Sequence, residues 1–301
     1  MRSKTINQMK QILCGLMLFS AVGLMAQKST IDIQGHRGAR GLYPENTIPA
    51  FIGAVKLGVN TLELDVVITK DNQVLVSHDP YMNDGFCRQV DGKSLTGDMK
   101  KDYNIYTMTY AETQSYDCGQ WGNEKFPDQQ KLVAHKPLLA DMIDSVEDYI
   151  RKNNLPKVKY NIEIKCAPAG DNIMHPLPEP FAKLVYEVVK KKGIQDHCNI
   201  QSFDVRCLQE IHKLDPKLPI AILIADANNF KKNLEQLGFT PYAYSPHYIL
   251  VNKKLVKQCH AAGVKLIPWT VNDEKKMVKL KELGVDGVIT DYPNKAIQLL
   301  R

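Results

Sequence analysis

The sequence lacks the signals that identify repeat, zinc-finger or nucleic-acid-binding proteins. It has no low-complexity tract, heptad array or repeat of about 20–50 residues, and no C-x-x-C pair of the kind that holds structural zinc. The formal net charge of +6 comes from 39 basic and 33 acidic residues, and removing Arg2, Lys4 and Lys10 leaves 36 against 33. So weak a bias argues against nucleic acid as a partner.

The long apolar run of this chain lies near its start. Residues 12–25 are almost continuously apolar, end at Ala26 and follow three basic residues, with no acid before Asp32. This pattern is typical of a signal peptide, and the run is short for a membrane span. We predict a signal at 1–26, a mature domain at 27–301, and an exported protein, periplasmic or secreted, that does not stay inserted in the membrane. A retained anchor is the alternative.

Six cysteines follow the predicted signal, which permits disulfides in an exported protein. Fifteen pairings are open. We favour Cys87–Cys118, because both residues lie in one loop-like segment. Cys166, Cys198 and Cys259 lie in apolar contexts and are predicted to be buried thiols.

Strand-like and helix-like segments alternate along the rest of the chain. The predicted strands are 31–34, 61–67, 160–165, 198–201, 220–224, 242–245, 265–269 and 286–290. The predicted helices are 48–57, 140–152, 180–192, 205–214, 230–237, 253–262, 274–283 and 295–300. This alternation predicts an α/β fold of the closed (βα)8 TIM-barrel type. A doubly wound sheet is the competitor, but Gly35, Gly38 and Gly41 do not have its G-x-G-x-x-G spacing.

One segment interrupts the alternation. Residues 74–77 predict an extra strand paired with the end of the second one. Residues 81–137 then show no strong periodicity and are rich in Asp, Asn, Gly, Tyr and Lys. Long segments of this kind are usually functional, so we predict an insertion that forms one wall of the active site.

Carboxylates occur in two predicted barrel strands, where a buried strand should be apolar. Alternation places Glu63 and Asp65 on one face of the second strand and Glu163 with Lys165 on one face of the third. Three carboxylates converging inside a barrel predict a site for Mg²⁺ or Ca²⁺. A buried salt-bridge cluster with Lys165 and Arg37 is the alternative.

Two histidines lie beside this predicted metal site. His36 directly follows the first strand, and His78 ends the extra strand. A histidine pair can take a proton from a nucleophile and deliver one to a leaving oxygen. Arg37 and Lys165 could hold phosphate oxygens and stabilise the charge that develops during cleavage of a phosphodiester.

With these motifs the chain resembles the glycerophosphodiester phosphodiesterases of the phospholipase-C-like barrel superfamily, over about residues 31–301. The motifs that carry the resemblance are His36-Arg37-Gly38, Pro44-Glu45-Asn46-Thr47, Leu62-Glu63-Leu64-Asp65-Val66, Ser77-His78-Asp79, Asn161-Ile162-Glu163-Ile164-Lys165, Gln201-Ser202-Phe203-Asp204, Trp269-Thr270-Val271-Asn272 and Gly287-Val288-Ile289-Thr290-Asp291-Tyr292-Pro293.

The resemblance implies a role for each matching residue. It makes His36 and His78 the general acid/base pair, Glu63, Asp65 and Glu163 the ligands of one divalent cation, Mg²⁺ or Ca²⁺, and Arg37 and Lys165 the phosphate-binding cations. It places Trp269 on the glycerol side of the substrate.

Four further residues are interpreted from position alone. Phe203 lines the pocket or packs in the core, and His247 touches a head group. Glu45 either orients Arg37 or favours a helix N-terminus. Asp291 is interpreted as a cap of the last helix or of a turn.

We therefore expect metal-dependent hydrolysis of glycerophosphodiesters to glycerol 3-phosphate and an alcohol. The alternatives are an intact phospholipid or phosphoinositide as substrate, a glycosidase using Glu63 and Glu163, and a binding barrel without catalysis. The head group, the metal and the oligomeric state stay open.

Overall fold

The computed structural model describes residues 31–226 and 229–301. The predicted signal peptide lies outside the described residues. No helix among the described residues is long and apolar enough to cross a membrane.

Strands and helices alternate from the first described residues to the last. The strands are β1 (Asp32–Gly35), β2 (Thr61–Ile68), β3 (Val74–Val76), β4 (Arg88–Gln89), β5 (Tyr116–Asp117), β6 (Lys159–Ile164), β7 (Cys198–Ser202), β8 (Ile220–Ile224), β9 (Ala243–Pro246), β10 (Lys265–Leu266) and β11 (Gly287–Thr290). The helices are α1 (Ile48–Leu57), α2 (Met99–Asp102), α3 (Tyr110–Thr113), α4 (Leu139–Lys152), α5 (Pro178–Lys192), α6 (Val205–Leu214), α7 (Phe230–Leu237), α8 (Lys253–Ala261), α9 (Glu274–Leu283) and α10 (Pro293–Leu300).

Eight parallel strands form a nearly closed barrel, in the order β10-β9-β8-β7-β6-β2-β1-β11. Backbone hydrogen bonds from Asp286 to Leu266 (2.9 Å) and from Ile289 to Pro268 (3.0 Å) join its two edges. The predicted TIM barrel is confirmed. The predicted end of the strand at 265–269 was wrong: β10 stops at Leu266. Pro268 has no amide hydrogen to continue the ladder.

Short polar residues begin several of the outer helices. The Thr47 hydroxyl accepts from the amide of Ala50 at the start of α1, and Asp204 and Asp273 cap α6 and α9 in the same way. Each cap satisfies an amide that has no partner within its helix. At the other end of α1, Gly58 adopts φ 89°, which favours glycine.

The main core lies between the strands and the ring of helices. The outward side chains of β2, Leu62, Leu64 and Val66, are buried there together with side chains from α1 and α4. Glu63 and Asp65 therefore point into the barrel, as their alternation predicts.

The barrel interior is partly filled by amide side chains. The Asn161 amide donates to Oε1 of Gln34 (2.8 Å) and to Oε1 of Gln201 (3.0 Å). Gln34 in turn donates to Asp32 (3.0 Å), and Gln201 donates to Glu63 (2.9 Å). One hydrogen-bonded chain thus runs from the amino-terminal end of the barrel to a predicted metal ligand.

The residues between β3 and α4 contain more structure than their sequence predicts. They include the pair β4–β5, helices α2 and α3, and a disulfide between Cys87 and Cys118. A separate hydrophobic cluster holds them together, and it includes Leu75, Met82 and Ile105. The favoured cysteine pairing is thus present, and Cys166, Cys198, Cys207 and Cys259 are buried and free.

Candidate active site

Three carboxylates meet at the carboxyl-terminal ends of β2 and β6. Glu63 and Asp65 come from β2 and Glu163 from β6, and all three are buried. One ligand atom from each lies within 4.8 Å of the others. This is the convergence that the alternation in both strands predicts.

Protein groups hold these carboxylates but leave one fully buried oxygen without a hydrogen bond. Glu63 accepts from the Arg37 amide (2.9 Å), and Asp65 Oδ2 accepts from Asn46 (2.8 Å). Asp65 Oδ1 is buried and has no hydrogen-bond partner among the described residues. Lys165 Nζ lies 3.7 Å from this oxygen, an ion pair without a hydrogen bond. A buried carboxylate oxygen that accepts no hydrogen bond is costly, so the donor set fits a hard divalent ion.

The protonation of the trio reflects its crowding. Burial, followed by the charges of Asp65 and Glu163, raises the pKa of Glu63 well above its usual value. Burial also raises the pKa of Asp65, but the charges of Arg37, His78 and Lys165 together outweigh it and hold that pKa well below its usual range. Burial raises the pKa of Glu163, although Lys165, 2.6 Å away, opposes the shift. Like charges so close favour a proton or a metal ion between them.

His36 is oriented by a carboxylate from the far end of the chain. Its Nδ1 lies 2.6 Å from Asp291 Oδ1, and its Nε2 lies 3.9 Å from Glu63 Oε2. Burial lowers the pKa of His36 to about 4, although Asp291 opposes the shift. Because Asp291 can only accept when ionised, neutral His36 donates from Nδ1 and keeps the Nε2 lone pair toward the carboxylates.

The interpretation of Asp291 as a cap is wrong. Helix α10 begins after Tyr292 without a side-chain cap. Both Asp291 oxygens instead accept hydrogen bonds from Arg40 (2.8 and 3.0 Å), and Asn272 donates to Oδ2 (2.7 Å). Burial alone would raise the pKa of Asp291, but His36 and then Arg40 hold it well below its usual value.

Arg37 lies in a strained turn between β1 and α1. Its φ is 51°, in the left-handed region that costs a non-glycine residue about 1 kcal/mol or more. This conformation aims its amide at Glu63, while its guanidinium donates to Glu45 Oε1 (2.7 Å) and lies 3.3 Å from Asp65 Oδ2. Glu45 therefore orients Arg37, which was one of its two interpretations. Gly38 follows at φ 86°, where a Cβ would lie 2.7 Å from the backbone of Ala50.

His78 is held in the same way as His36. Its Nδ1 lies 2.9 Å from Asp79 Oδ1, and the second oxygen of Asp79 accepts from Asn83 (2.7 Å). Burial raises the pKa of Asp79, but the hydrogen bond and charge of His78, together with the hydrogen bond from Asn83, outweigh this and the pKa falls well below its usual value. The His78 side chain is 32% exposed and borders an open cavity.

Lys165, Phe203 and Trp269 line up at the edge of the site. Lys165 Nζ lies 6.0 Å from the Phe203 ring centre, and the Phe203 and Trp269 ring centres are 5.4 Å apart, edge to face. The Trp269 indole donates to Ser245 O (2.8 Å), and His247 packs on its ring at 5.3 Å. Phe203 is 43% exposed, which excludes the core position considered for it.

The cavity beside these residues has a volume of about 880 Å³. Its walls come from the segment after His78 and from the loop after β6, which are tied together where Asn104 donates to Ile173 O (2.8 Å). Pro80, Tyr81 and Met174 give it an apolar lining. The insertion thus forms part of the wall, as predicted.

Comparison with known proteins places this arrangement in a family. The sequence profile of the glycerophosphoryl diester phosphodiesterase family matches residues 36–295. The chain belongs to that family.

Relatives and solved structures agree with this assignment. A glycerophosphodiester phosphodiesterase of Caldanaerobacter subterraneus is 32% identical over 266 residues, covering 88% of this chain and 96% of the relative. A crystal structure from Silicibacter pomeroyi superposes with a TM-score of 0.80 at 29% identity, covering 91% and 94% of the two chains. A phosphodiesterase of Oleispira antarctica, solved with the product sn-glycerol-3-phosphate, has a TM-score of 0.71 at 25% identity and coverage of 90% and 96%.

The chain is therefore a glycerophosphodiester phosphodiesterase, a hydrolase of phosphoric diesters. Of the residues around its site, sequence reasoning missed the carboxylates that hold the histidines. The role of Asp79 could have been predicted, because this residue is adjacent to His78 in the sequence. Asp291 is 255 residues from His36, and only the closure of the barrel brings them together.

Proposed function

We propose that this enzyme is exported and hydrolyses small glycerophosphodiesters to glycerol 3-phosphate and an alcohol, using one divalent cation and two histidines. The observation that carries the proposal is the position of His36: its free Nε2 lies 3.9 Å from Glu63, one of three convergent carboxylates, while Asp291 holds Nδ1. Bacterial relatives named glycerophosphodiester phosphodiesterase support the substrate class.

Glu63, Asp65 and Glu163 would hold Mg²⁺ or Ca²⁺, which when bound supplies Lewis-acid stabilisation of the phosphate oxygens. The donor set contains only oxygen atoms, and the unsatisfied Asp65 Oδ1 gives it an open ligand.

The side chains around the carboxylates transfer protons and bind the substrate. Neutral His36 accepts at Nε2 the proton of the attacking oxygen, which belongs either to water or to a glycerol hydroxyl. In the second case the cyclic phosphate that forms is then opened by water. His78, held by Asp79 beside the open cavity, delivers a proton to the departing alkoxide. Arg37 and Lys165 bind the phosphate oxygens, and the exposed ring of Phe203 and the half-buried ring of Trp269 contact the glycerol.

The test is release of glycerol 3-phosphate from glycerophosphocholine, with and without a chelator. We expect chelation to abolish release and both His36→Ala and Glu63→Ala to lower kcat by at least about a hundredfold. His260→Ala is the matched control, because His260 also pairs with an aspartate, Asp286 (3.0 Å), but lies 45% exposed outside the site. Full activity in chelator would contradict the metal, and full activity in His36→Ala would contradict the base.

A second candidate substrate is a lysophospholipid, and the apolar cavity favours it. Phe203 connects the ring of Trp269 to this cavity, and Ile173 at its mouth is 63% exposed. A single acyl chain on the glycerol could follow this path and bury its methylenes there.

Hydrolysis of lysophosphatidylcholine distinguishes the two substrates. Ile173→Asp should lower its turnover and spare glycerophosphocholine, whereas Val278→Asp on α9, which replaces another exposed apolar side chain, should change neither. A wild-type enzyme without activity on lysophosphatidylcholine would exclude this candidate.

A further inference from the structure

Arg206 joins two loops at the carboxyl-terminal end of the barrel. It lies in the first turn of α6, and its guanidinium donates to both oxygens of Asp171 (2.7 and 3.1 Å), in the loop after β6. It also donates to both oxygens of Asp204 (2.6–3.1 Å), which follows β7. Bidentate contacts of this kind fix the geometry of their partners as well as pairing charges. We call Asp171, Asp204 and Arg206 the loop clamp.

The loop clamp lies where a metal ion could otherwise be considered. Cys166, Asp171 and His175 each offer one ligand atom within 4.8 Å of the others. Both oxygens of Asp171, however, accept from Arg206. The two ring nitrogens of His175 lie 3.1 and 2.8 Å from backbone groups of its own loop. The cation of this cluster is therefore the arginine, and its contribution is to hold the loops in place.

The two clamped loops carry side chains on the wall of the active-site cavity. The loop after β6 contributes Ile173 and Met174, and the loop after β7 contributes Phe203, directly before Asp204. On the other side of the first loop, Asn104 of the insertion donates to Ile173 O (2.8 Å). The loop clamp thus fixes the one wall of the cavity that the insertion does not form.

The alcohol part of the substrate belongs in this cavity. His78 borders the cavity and, in the mechanism proposed above, protonates the departing alkoxide. Pro80, Tyr81, Met174 and Phe203 give the cavity an apolar and aromatic lining. Choline and ethanolamine carry the same charge and differ by three methyl groups, so an apolar wall that contacts those methyl groups distinguishes the two.

We propose that the loop clamp determines the head-group specificity of the enzyme: Arg206 holds Ile173 and Met174 at a fixed distance from Phe203, so that the cavity wall contacts the methyl groups of a choline head group. This inference rests on the phosphodiesterase function proposed above. It makes Arg206 a positioning residue, because it acts through the cavity wall and not on the phosphate.

The test compares kcat/KM for glycerophosphocholine and glycerophosphoethanolamine in the full chain. We expect the wild type to favour the choline substrate by at least about tenfold, and Arg206→Gln to reduce this preference below about threefold, mainly through a higher KM for glycerophosphocholine. Arg206→Lys should behave like Arg206→Gln, because an ammonium does not replace the guanidinium fork. Lys213→Gln, which breaks an ion pair with Glu210 (2.7 Å) on the same helix, should keep the wild-type preference.

The partner residue and the product separate this role from a structural one. Asp171→Asn keeps the shape of the side chain and should reduce the preference as Arg206→Gln does. The double variant should show no further loss, because both changes break one contact. The calorimetric Kd for glycerol 3-phosphate, which lacks the alcohol, should stay within about twofold of wild type in each variant. If Arg206→Gln does not fold, Asp171→Asn decides.

Three results would overturn the inference while leaving the proposed function intact. They are a wild type that releases glycerol 3-phosphate equally well from both substrates, a preference that survives in the clamp variants, and a product Kd that rises together with KM. A wild type that releases glycerol 3-phosphate from neither substrate would overturn the proposed function, and this inference with it.

Discussion

Asp291→Asn tests how His36 is held, because this change keeps the shape of the side chain and removes its charge. All four side-chain hydrogen bonds to Asp291 come from donors, namely His36, Arg40 twice and Asn272. An asparagine there has an NH2 group in place of one of these oxygens, so in either orientation of the amide its N–H groups face other donors. One orientation breaks the contacts with Arg40 and Asn272, and the other faces His36 Nδ1.

The expected magnitude follows from these contacts. With the amide nitrogen toward His36, the ring must move its proton to Nε2, where the lone pair is needed. In the other orientation, hydrogen bonds to a charged group worth about 1.5–3 kcal/mol each are lost. A cost of about 3 kcal/mol in the transition state corresponds to roughly a hundredfold loss in kcat.

The assay is kcat for glycerophosphocholine at saturating divalent metal. Asp286→Asn is the matched control, since Asp286 accepts from His260 at 3.0 Å and lies outside the site, and it should stay within about twofold of wild type. A kcat for Asp291→Asn that equals that of the control would refute the role of His36 as a base oriented by Asp291.

Three further outcomes follow from contacts described above. Glu163→Gln should weaken binding of Mg²⁺ or Ca²⁺ by at least about a hundredfold in calorimetry, and unchanged affinity would exclude Glu163 as a ligand. Gly38→Ala should lower the free energy of unfolding in urea by roughly 3 kcal/mol, because its Cβ would meet helix α1 at 2.7 Å. Gly238→Ala, at φ 88° in open space, should cost only about 1 kcal/mol, and equal costs would contradict the clash. Replacing Cys87 and Cys118 by alanine should cost about 3–4 kcal/mol for a loop of 31 residues. Hydrogen exchange should then speed up first in the insertion, and uniform loosening of the barrel would argue against its separate core.

The sequence was most informative where one element decides the outcome. Alternation within β2 was enough to place Glu63 and Asp65 inside the barrel. The bounds of α1 and α6 were predicted to the residue, because polar caps and a glycine act locally.

It was least informative where distant segments meet. The role of Asp291 depends on the pairing of β1 with β11, which no local pattern records. The elements of the insertion depend on its own small core and disulfide, and not on helical or strand periodicity.

The amide chain inside the barrel limits how this site can change by mutation. Both of its ends, Asp32 and Glu63, accept in this chain and can only accept when ionised, so the direction of donation must reverse once, and it does so at Asn161. An aspartate at that position would place a carboxylate oxygen against the side-chain oxygens of Gln34 and Gln201. A leucine there would leave both glutamine oxygens without a hydrogen-bond donor. We therefore expect a single substitution in this chain to destabilise the barrel, and a second, compensating substitution that restores the hydrogen bonds to recover its stability. Among homologues, Gln34, Asn161 and Gln201 should accordingly change together or not at all.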